Sequence, residues 1–192
     1  MSVFETIQRR HSIGQMTDQV PTRAQIEQLL VAATHAPNHR KVEPWRFFVL
    51  AGKAREELGS IMAASLAERM RETSSEKAQT QLAKERNKPL RSPILIVVAA
   101  EAPRQANVLA IENIEAVAAA VENMLLTAEE IGLAAIWRTG DAVTDPRVKA
   151  WLGLSSEDHI VSILYLGYAA MAQPERTPRP ISEKTAWLGW EE

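Results

Sequence analysis

The chain has 192 residues with 22 basic and 24 acidic side chains, a formal charge of −2, which excludes a polycationic tail built to hold nucleic acid and fits one domain over 1–192. Its 46% hydrophobic content is enough for a core, since folding at this length removes roughly 70% of the unfolded chain's surface from water. With no cysteine, disulfides, thiolate zinc sites, iron–sulfur clusters and cysteine nucleophiles are excluded together. The opening MSVFETIQRRHS lacks a secretory apolar segment, and no run of about 18 apolar residues occurs. The expectation is a cytoplasmic protein with neither a membrane nor a nucleic acid as partner.

In chain order, Val3, Phe4 and Ile7 share one helical face, which predicts a short helix over 3–10. Thr22 and Gln25 form the pattern of a capping box, and Ile26, Leu29, Leu30 and Ala33 make the apolar stripe of the helix that follows, which should stop before Pro37. The aromatic and β-branched run WRFFVLA at 45–51, closed by Gly52, predicts a buried strand. Helical spacing returns over 53–71. Residues 73–91 are polar, rich in Lys and Arg and without strong periodicity; ILIVVAA at 94–100 is the second strand.

The clearest helix is 110–131, where Ile111, Ile114, Ala118, Val121, Leu125 and Ala128 recur at spacings of three and four and Val117, Met124 and Ile131 widen the stripe. Ala118, Ala119 and Ala120 allow another backbone to approach closely, and Gly132 supplies the stop. A strand at 133–137, a short helix from Asp145-Pro146 to Leu152 and a strand at 160–167 complete the regular structure. The tail 173–192 carries Pro174, Pro178 and Pro180 and ends with Trp187 and Trp190, two large side chains that need a surface to cover.

Several chemistries are missing. None of the eight glycines are two residues apart, which removes the dinucleotide fingerprint, and there is neither a P-loop nor a Gly-x-Ser-x-Gly elbow. His35 and His39 have a zinc-like spacing, but Pro37 lies between them and Ala36 stands where a zinc protease needs Glu, so no metal site is expected. Asp141 and Asp145 read as caps. Lys84, Arg86, Lys88 and Arg91 could meet a nucleotide phosphate or form a solvated face.

Three segments remain at boundaries of regular structure: Arg10-His11-Ser12, the stretch from His35 to Trp45, and Trp137-Arg138-Thr139-Gly140. Guanidinium, imidazole and hydroxyl groups together suit a phosphate and a polyol chain, so one mononucleotide could engage all three. For each segment a plainer reading stands beside this one: a helix C-terminus in water, core packing for Trp137, a surface ion pair for Arg138.

At these residues the sequence resembles the flavin-dependent nitroreductase family, most closely its short YdjA-like members, over nearly the whole chain. The resemblance is carried by Arg10-His11-Ser12, by Ala36-Pro37-Asn38-His39 leading to Pro44-Trp45-Arg46-Phe47-Phe48-Val49, by the central helix, and by the run from Gly132 to Gly140. It implies an α+β fold, a central mixed but mostly antiparallel sheet flanked by helices in an intertwined homodimer, with the tail packed on the partner. It further implies FMN at the dimer interface, NADH or NADPH as reductant, and a nitroaromatic, quinone or related small molecule as electron acceptor. Arg10, His11, Ser12, Trp137, Arg138 and Thr139 become FMN contacts, His35 and His39 contacts made across the interface, and no side chain need act as a catalytic nucleophile because the cofactor carries the chemistry. Two positions depart from the pattern: Gly14 stands where many members place a basic residue near the flavin pyrimidine, and Glu43 precedes Pro44. The departures motivate an alternative, a non-catalytic flavin-binding module of the same fold or a flavin reductase with a different acceptor. The plainest rival is a helical assembly protein built on 110–131 with no cofactor.

Overall fold

The computed structural model describes residues 2–172 and 177–190. Helix α1 (Val3–Arg9) opens the chain, capped reciprocally by Ser2 and Glu5. Helix α2 (Arg23–Thr34) begins at the Thr22–Gln25 capping box that the sequence predicts and ends before Pro37. Strand β1 (Trp45–Ala51) is followed by α3 (Lys53–Arg69), α4 (Glu76–Asn87), a 3-10 turn at Lys88–Arg91 and β2 (Ile94–Ala100). Helix α5 (Ala110–Glu130) leads to β3 (Ala134–Arg138), two short helices α6 (Asp141–Thr144) and α7 (Pro146–Trp151), and β4 (His159–Gly167).

The sheet order is β1-β2-β4-β3 and all three ladders are antiparallel. Parallel pairing among the described residues is confined to the bridge between Ser12 and Ala135, where the Ile13 N–H donates to the Ala135 carbonyl at 3.1 Å. Residues 12–17 therefore run along the open edge of β3, and the Thr17 N–H to Tyr168 carbonyl bond at 2.8 Å holds their far end. β2 is buried along its whole length, as expected where helices cover both faces and the strand reads as one continuous apolar run.

On one face, α2 and α5 pack Leu29, Ala33, Val117, Val121 and Met124 against Ile96, Val98, Leu164 and Leu166. On the other, α3, α6 and α7 pack Leu58, Met62, Val143 and Val148 against Leu95, Val97, Ile160 and Ile163. Alternation along the strands produces this split, with one irregularity in β4 at Val161 that lets Ile160 and Ile163 share a face.

Three sequence expectations change. β3 starts at Ala134 because Leu133 still belongs to the helix end: its N–H donates to the Ala128 carbonyl and that of Gly132 to Glu129, with Gly132 at φ 76°, the paired bonds of a Schellman stop. Residues 73–91 contain a helix, α4, which buries Ala78 alone and so leaves no apolar period to read. It is started by the Ser75 hydroxyl accepting from the Ala78 N–H and lies so close to α3 that a Cβ at Gly59 would overlap the Arg86 carbonyl. The stripe of α5 is centred on Val117, Ala120, Val121 and Met124, while Ile111 is 53% exposed. Of the tail, 177–190 form a 3-10 turn at Ile181–Glu183 and a tilted Trp187–Trp190 pair with ring centroids 5.6 Å apart; Pro174 lies outside the described residues.

Candidate functional site

The end of β3 is where two distant parts of the chain meet. Alternation sends Trp137 to the α5 face, where its indole N–H donates to the Val161 carbonyl at 3.1 Å. It sends Ile136 and Arg138 to the opposite face. There, with Thr139, Gly140, Gly14, Met62, Ile163 and Tyr165, they line a cleft of about 250 Å³. Glu85, Lys88 and Arg91 close it from the 3-10 turn side, since three residues per turn place Lys88 and Arg91 on one face.

The charge balance of this cleft is positive. Lys88 is paired with Glu85, and Asp141 is held by Arg69 at 2.7 Å. Arg91 and Arg138 have no carboxylate partner among the described residues. Burial pushes the Tyr165 phenol above its ordinary pKa, against the opposing pull of Arg91 and Arg138, so the phenol stays a neutral hydrogen-bonding group at physiological pH.

The N-terminal segment brings the remaining predicted groups to the same strand edge. Arg10, the C-cap of α1, is turned toward α5 and lies 3.5 Å from Glu122. Ser12 sits on β3 through its bridge to Ala135. His11 bonds the Arg9 carbonyl through Nδ1, while its Nε2 is buried without a partner, a polar group that calls for a ligand or water.

His35 and His39 are placed elsewhere. His35 caps α2 and lines a groove of about 480 Å³ with Val3, Thr6, Asn123 and Thr127. His39 lies on a turn where Arg40, Lys41 and Glu43 have φ of 53°, 54° and 48°, held by the Glu43 N–H donating to Asn38 Oδ1 at 2.9 Å. Three non-glycine residues in the left-handed region are costly, and such strain concentrates at functional sites. His39 Nδ1 is 4.0 Å from Glu112. Among the described residues no cluster of three or more potential ligands could hold a metal, and Asp145 caps α7 by accepting from the Arg147 N–H.

Met62, Ile163 and Tyr165 carry no mark of a site in the sequence, because only the crossing of the 12–17 segment, α3 and β4 brings them together with Gly14, which the family resemblance alone had singled out. Lys88 and Arg91 belong to the basic run already singled out. Lys84, by contrast, lies on a separate hollow with Glu76 and Lys77.

With this geometry in view, the comparisons with known proteins agree. The model of the Nitroreductase family matches residues 7–168. YdjA of Escherichia coli (strain K12), provisionally named an NAD(P)H nitroreductase, is 32% identical over 167 residues, 87% of this chain and 88% of its own. The crystal structure of a nitroreductase-like family protein from Bacillus cereus superposes with a TM-score of 0.84 at 29% identity, covering 99% of this chain and 97% of the other. A protein of Desulfovibrio desulfuricans solved in complex with FMN shares the fold, with a TM-score of 0.76 at 21% identity over 100% of this chain and 99% of its own. The chain belongs to the nitroreductase family.

Proposed function

We propose that this protein is an FMN-dependent NAD(P)H oxidoreductase of nitroreductase type that acts in the cytoplasm as a homodimer on small acceptors such as nitroaromatics or quinones. The observation that carries the reading is the seam between residues 12–14 and β3. It lays an arginine, an unpartnered imidazole nitrogen and a hydroxyl along the start of β3, with Ser12 bridged to Ala135 and His11 in a hollow with Gly132 and Ala134, and carries the chain on to Gly14 at the positive cleft beside the other end of the strand. This donor set fits FMN: a dianionic phosphate needs a cation, a ribityl chain needs hydroxyl and imidazole partners, and the ring needs an apolar wall with a few polar groups.

When bound, FMN supplies two-electron chemistry between NAD(P)H and the acceptor. The chain's own residues bind and orient it. Arg10 neutralises phosphate charge, Ser12 and His11 offer hydrogen bonds, Met62, Ile136 and Ile163 exclude water from one side, and Thr139 closes the strand end.

The dimer is supported by what a single chain leaves uncovered. Val3, Phe4 and Ile7 of α1 are 74%, 67% and 47% exposed, and Trp187 and Leu188 of the tail 67% and 92%; an apolar surface of this kind marks an interaction face. His35 lies in the groove between α1, α2 and α5 rather than in the cleft, so a contact with FMN is one it makes to the partner's cofactor. Among the described residues no helix is long and apolar enough to cross a membrane.

The decisive experiment is an anaerobic visible spectrum of the protein loaded with FMN, before and after NADH or NADPH. Bleaching of the flavin bands followed by reoxidation with a nitroaromatic or quinone is the expected result. Absence of FMN uptake overturns the reading, and bound flavin that neither nicotinamide reduces overturns the enzymatic part of it.

A further inference from the structure

We propose that the cavity between the turn at 38–44 and the loop at 101–108 is a binding site for a small carboxylate that also carries a hydrogen-bond donor, the carboxylate held by Lys41 and Arg104 and the donor by Asn113. The site is separate from the cleft at the end of β3 and does not depend on the FMN reading.

Two segments distant in sequence are clasped together to build it. The Glu101 N–H donates to the Pro44 carbonyl at 2.8 Å, the Arg40 guanidinium donates to Asn107 Oδ1 at 3.0 Å, and the Ala102 N–H is held by the Asp158 carboxylate at 2.8 Å. Between the segments lies a space of about 300 Å³, lined by Lys41, Val42 and Pro44 from the turn, Glu101 and Arg104 from the loop, and Asn113 from the start of α5. This volume is at the lower end for small-molecule sites. A cavity already formed without its ligand lowers the ordering cost of binding.

Asn113 says what the ligand must bring. The residue is 4% exposed, and its Nδ2 donates to the Glu101 carbonyl at 2.8 Å. That bond fixes the amide and leaves Oδ1, which accepts no hydrogen bond among the described residues. A buried acceptor without a donor is costly, and a ligand O–H or N–H in the cavity supplies one. Charge supplies the other half. Lys41 has no carboxylate partner among the described residues, and Arg104 shares one Glu101 oxygen with Arg46, at 3.1 and 3.7 Å. The charged groups lining the cavity are thus two cations and one anion, a balance that suits a monoanionic carboxylate rather than a phosphate dianion. Lys41 and Arg104 are exposed while Asn113 is buried, so the ligand enters with its donor inward and its charge toward solvent. Val42 and Pro44 give it a short apolar wall.

The test is calorimetric titration of the purified protein with 2-, 3- and 4-hydroxybenzoate, each against the matching hydroxybenzamide, which keeps the shape and the hydroxyl and removes the charge. The proteins compared are wild type, Lys41→Gln, Arg104→Gln and, as a control for net charge, Lys84→Gln, whose site is a separate hollow. Lys41 and Arg104 are exposed, so both replacements keep the fold, which thermal unfolding checks. At least one hydroxybenzoate should bind about tenfold more tightly than its amide, and Lys41→Gln and Arg104→Gln should each weaken that binding about tenfold, the worth of a charge-assisted hydrogen bond. Lys84→Gln should leave it unchanged. Equal binding of acid and amide overturns the proposal, as does binding that neither replacement weakens or that Lys84→Gln weakens equally. With FMN loaded, reduction of 4-nitrobenzoate over 4-nitrobenzamide by a kcat/KM ratio that Lys41→Gln abolishes supports the site and makes its carboxylate an electron acceptor; an unchanged ratio with intact hydroxybenzoate binding supports it as the site of a ligand that is not reduced. Failure to bind FMN removes the function proposed above and leaves the titrations to decide this site.

Discussion

Trp137 and Arg138 are neighbours on β3 and end on opposite faces of the sheet, and the two faces are built differently. The α5 face is sealed: Val117, Ala120, Val121, Met124 and Leu164 are wholly buried, and the polar head of Trp137 is satisfied by the Val161 carbonyl. The other face has a core of its own around Leu58, Val97 and Ile160, but near β3 it opens into a cleft with two arginines that lack carboxylate partners among the described residues. One sheet thus separates stability from ligand handling. Close packing specifies a unique fold, while a site for an anionic ligand needs charges that the fold itself leaves unpaired.

The comparison breaks or sharpens under four measurements. Leu164→Ala removes a wholly buried side chain from the sealed face and should cost about 2–5 kcal/mol in urea unfolding while leaving FMN affinity unchanged; a parallel loss of affinity would mean that the faces are not independent. Arg10→Ala should leave unfolding nearly unaltered, because its ion pair with Glu122 is partly exposed. The same variant should weaken FMN binding by about 1.5–3 kcal/mol, the worth of a charged hydrogen bond; equal affinity in titrations of both proteins removes Arg10 from the site.

Gly59→Ala forces α4 away from α3, since the new methyl group overlaps the Arg86 carbonyl, and should cost about 1–3 kcal/mol by overpacking. Because α4 runs into the turn bearing Lys88 and Arg91, its FMN affinity should fall too, which distinguishes it from Leu164→Ala. The smallest effect concerns Asp158. Burial raises its pKa, but the N–H groups of Ala102 and Ser155, both at 2.8 Å, outweigh that and hold the carboxyl below its ordinary value. With the folded value depressed, its contribution is present above the unfolded pKa and is lost as pH falls through the folded one. Asp158→Asn should therefore flatten the decline of stability on acidification in urea titrations; an unaltered acid limb would show that the carboxylate is not responsible.

How much of this was legible depended on whether a residue's role repeats along the chain. The run at 45–51 and that at 94–100 match β1 and β2 in extent, and the Thr22–Gln25 box starts α2, because apolar patterns and caps are local; the expectation that 45–51 is buried fails, since β1 lies at the sheet edge and buries Leu50 alone. Helix α4 was not legible, since it buries Ala78 alone and is held by propensity, the Ser75 cap and the contact at Gly59. Arg10, Ser12 and Arg138 could be singled out as groups at element boundaries and through the family resemblance. Their relation to Met62 and Tyr165 could not, because those residues carry no chemistry until the chain brings them together.

The sequence by itself determined most of the elements, which rest on short-range periodicity, and through motifs in order the family resemblance, which implied the α+β class. Tertiary structure alone decided that Trp137 turns inward and Arg138 outward, and that Lys88 and Arg91 face the same cleft while Lys84 does not. It also decided that the space beside Gly14 belongs to an arginine 124 positions away (138 − 14). The physical reason is that a side chain's direction follows from its own strand or helix, whereas what it meets there is set by elements distant in sequence, whose packing no local pattern encodes.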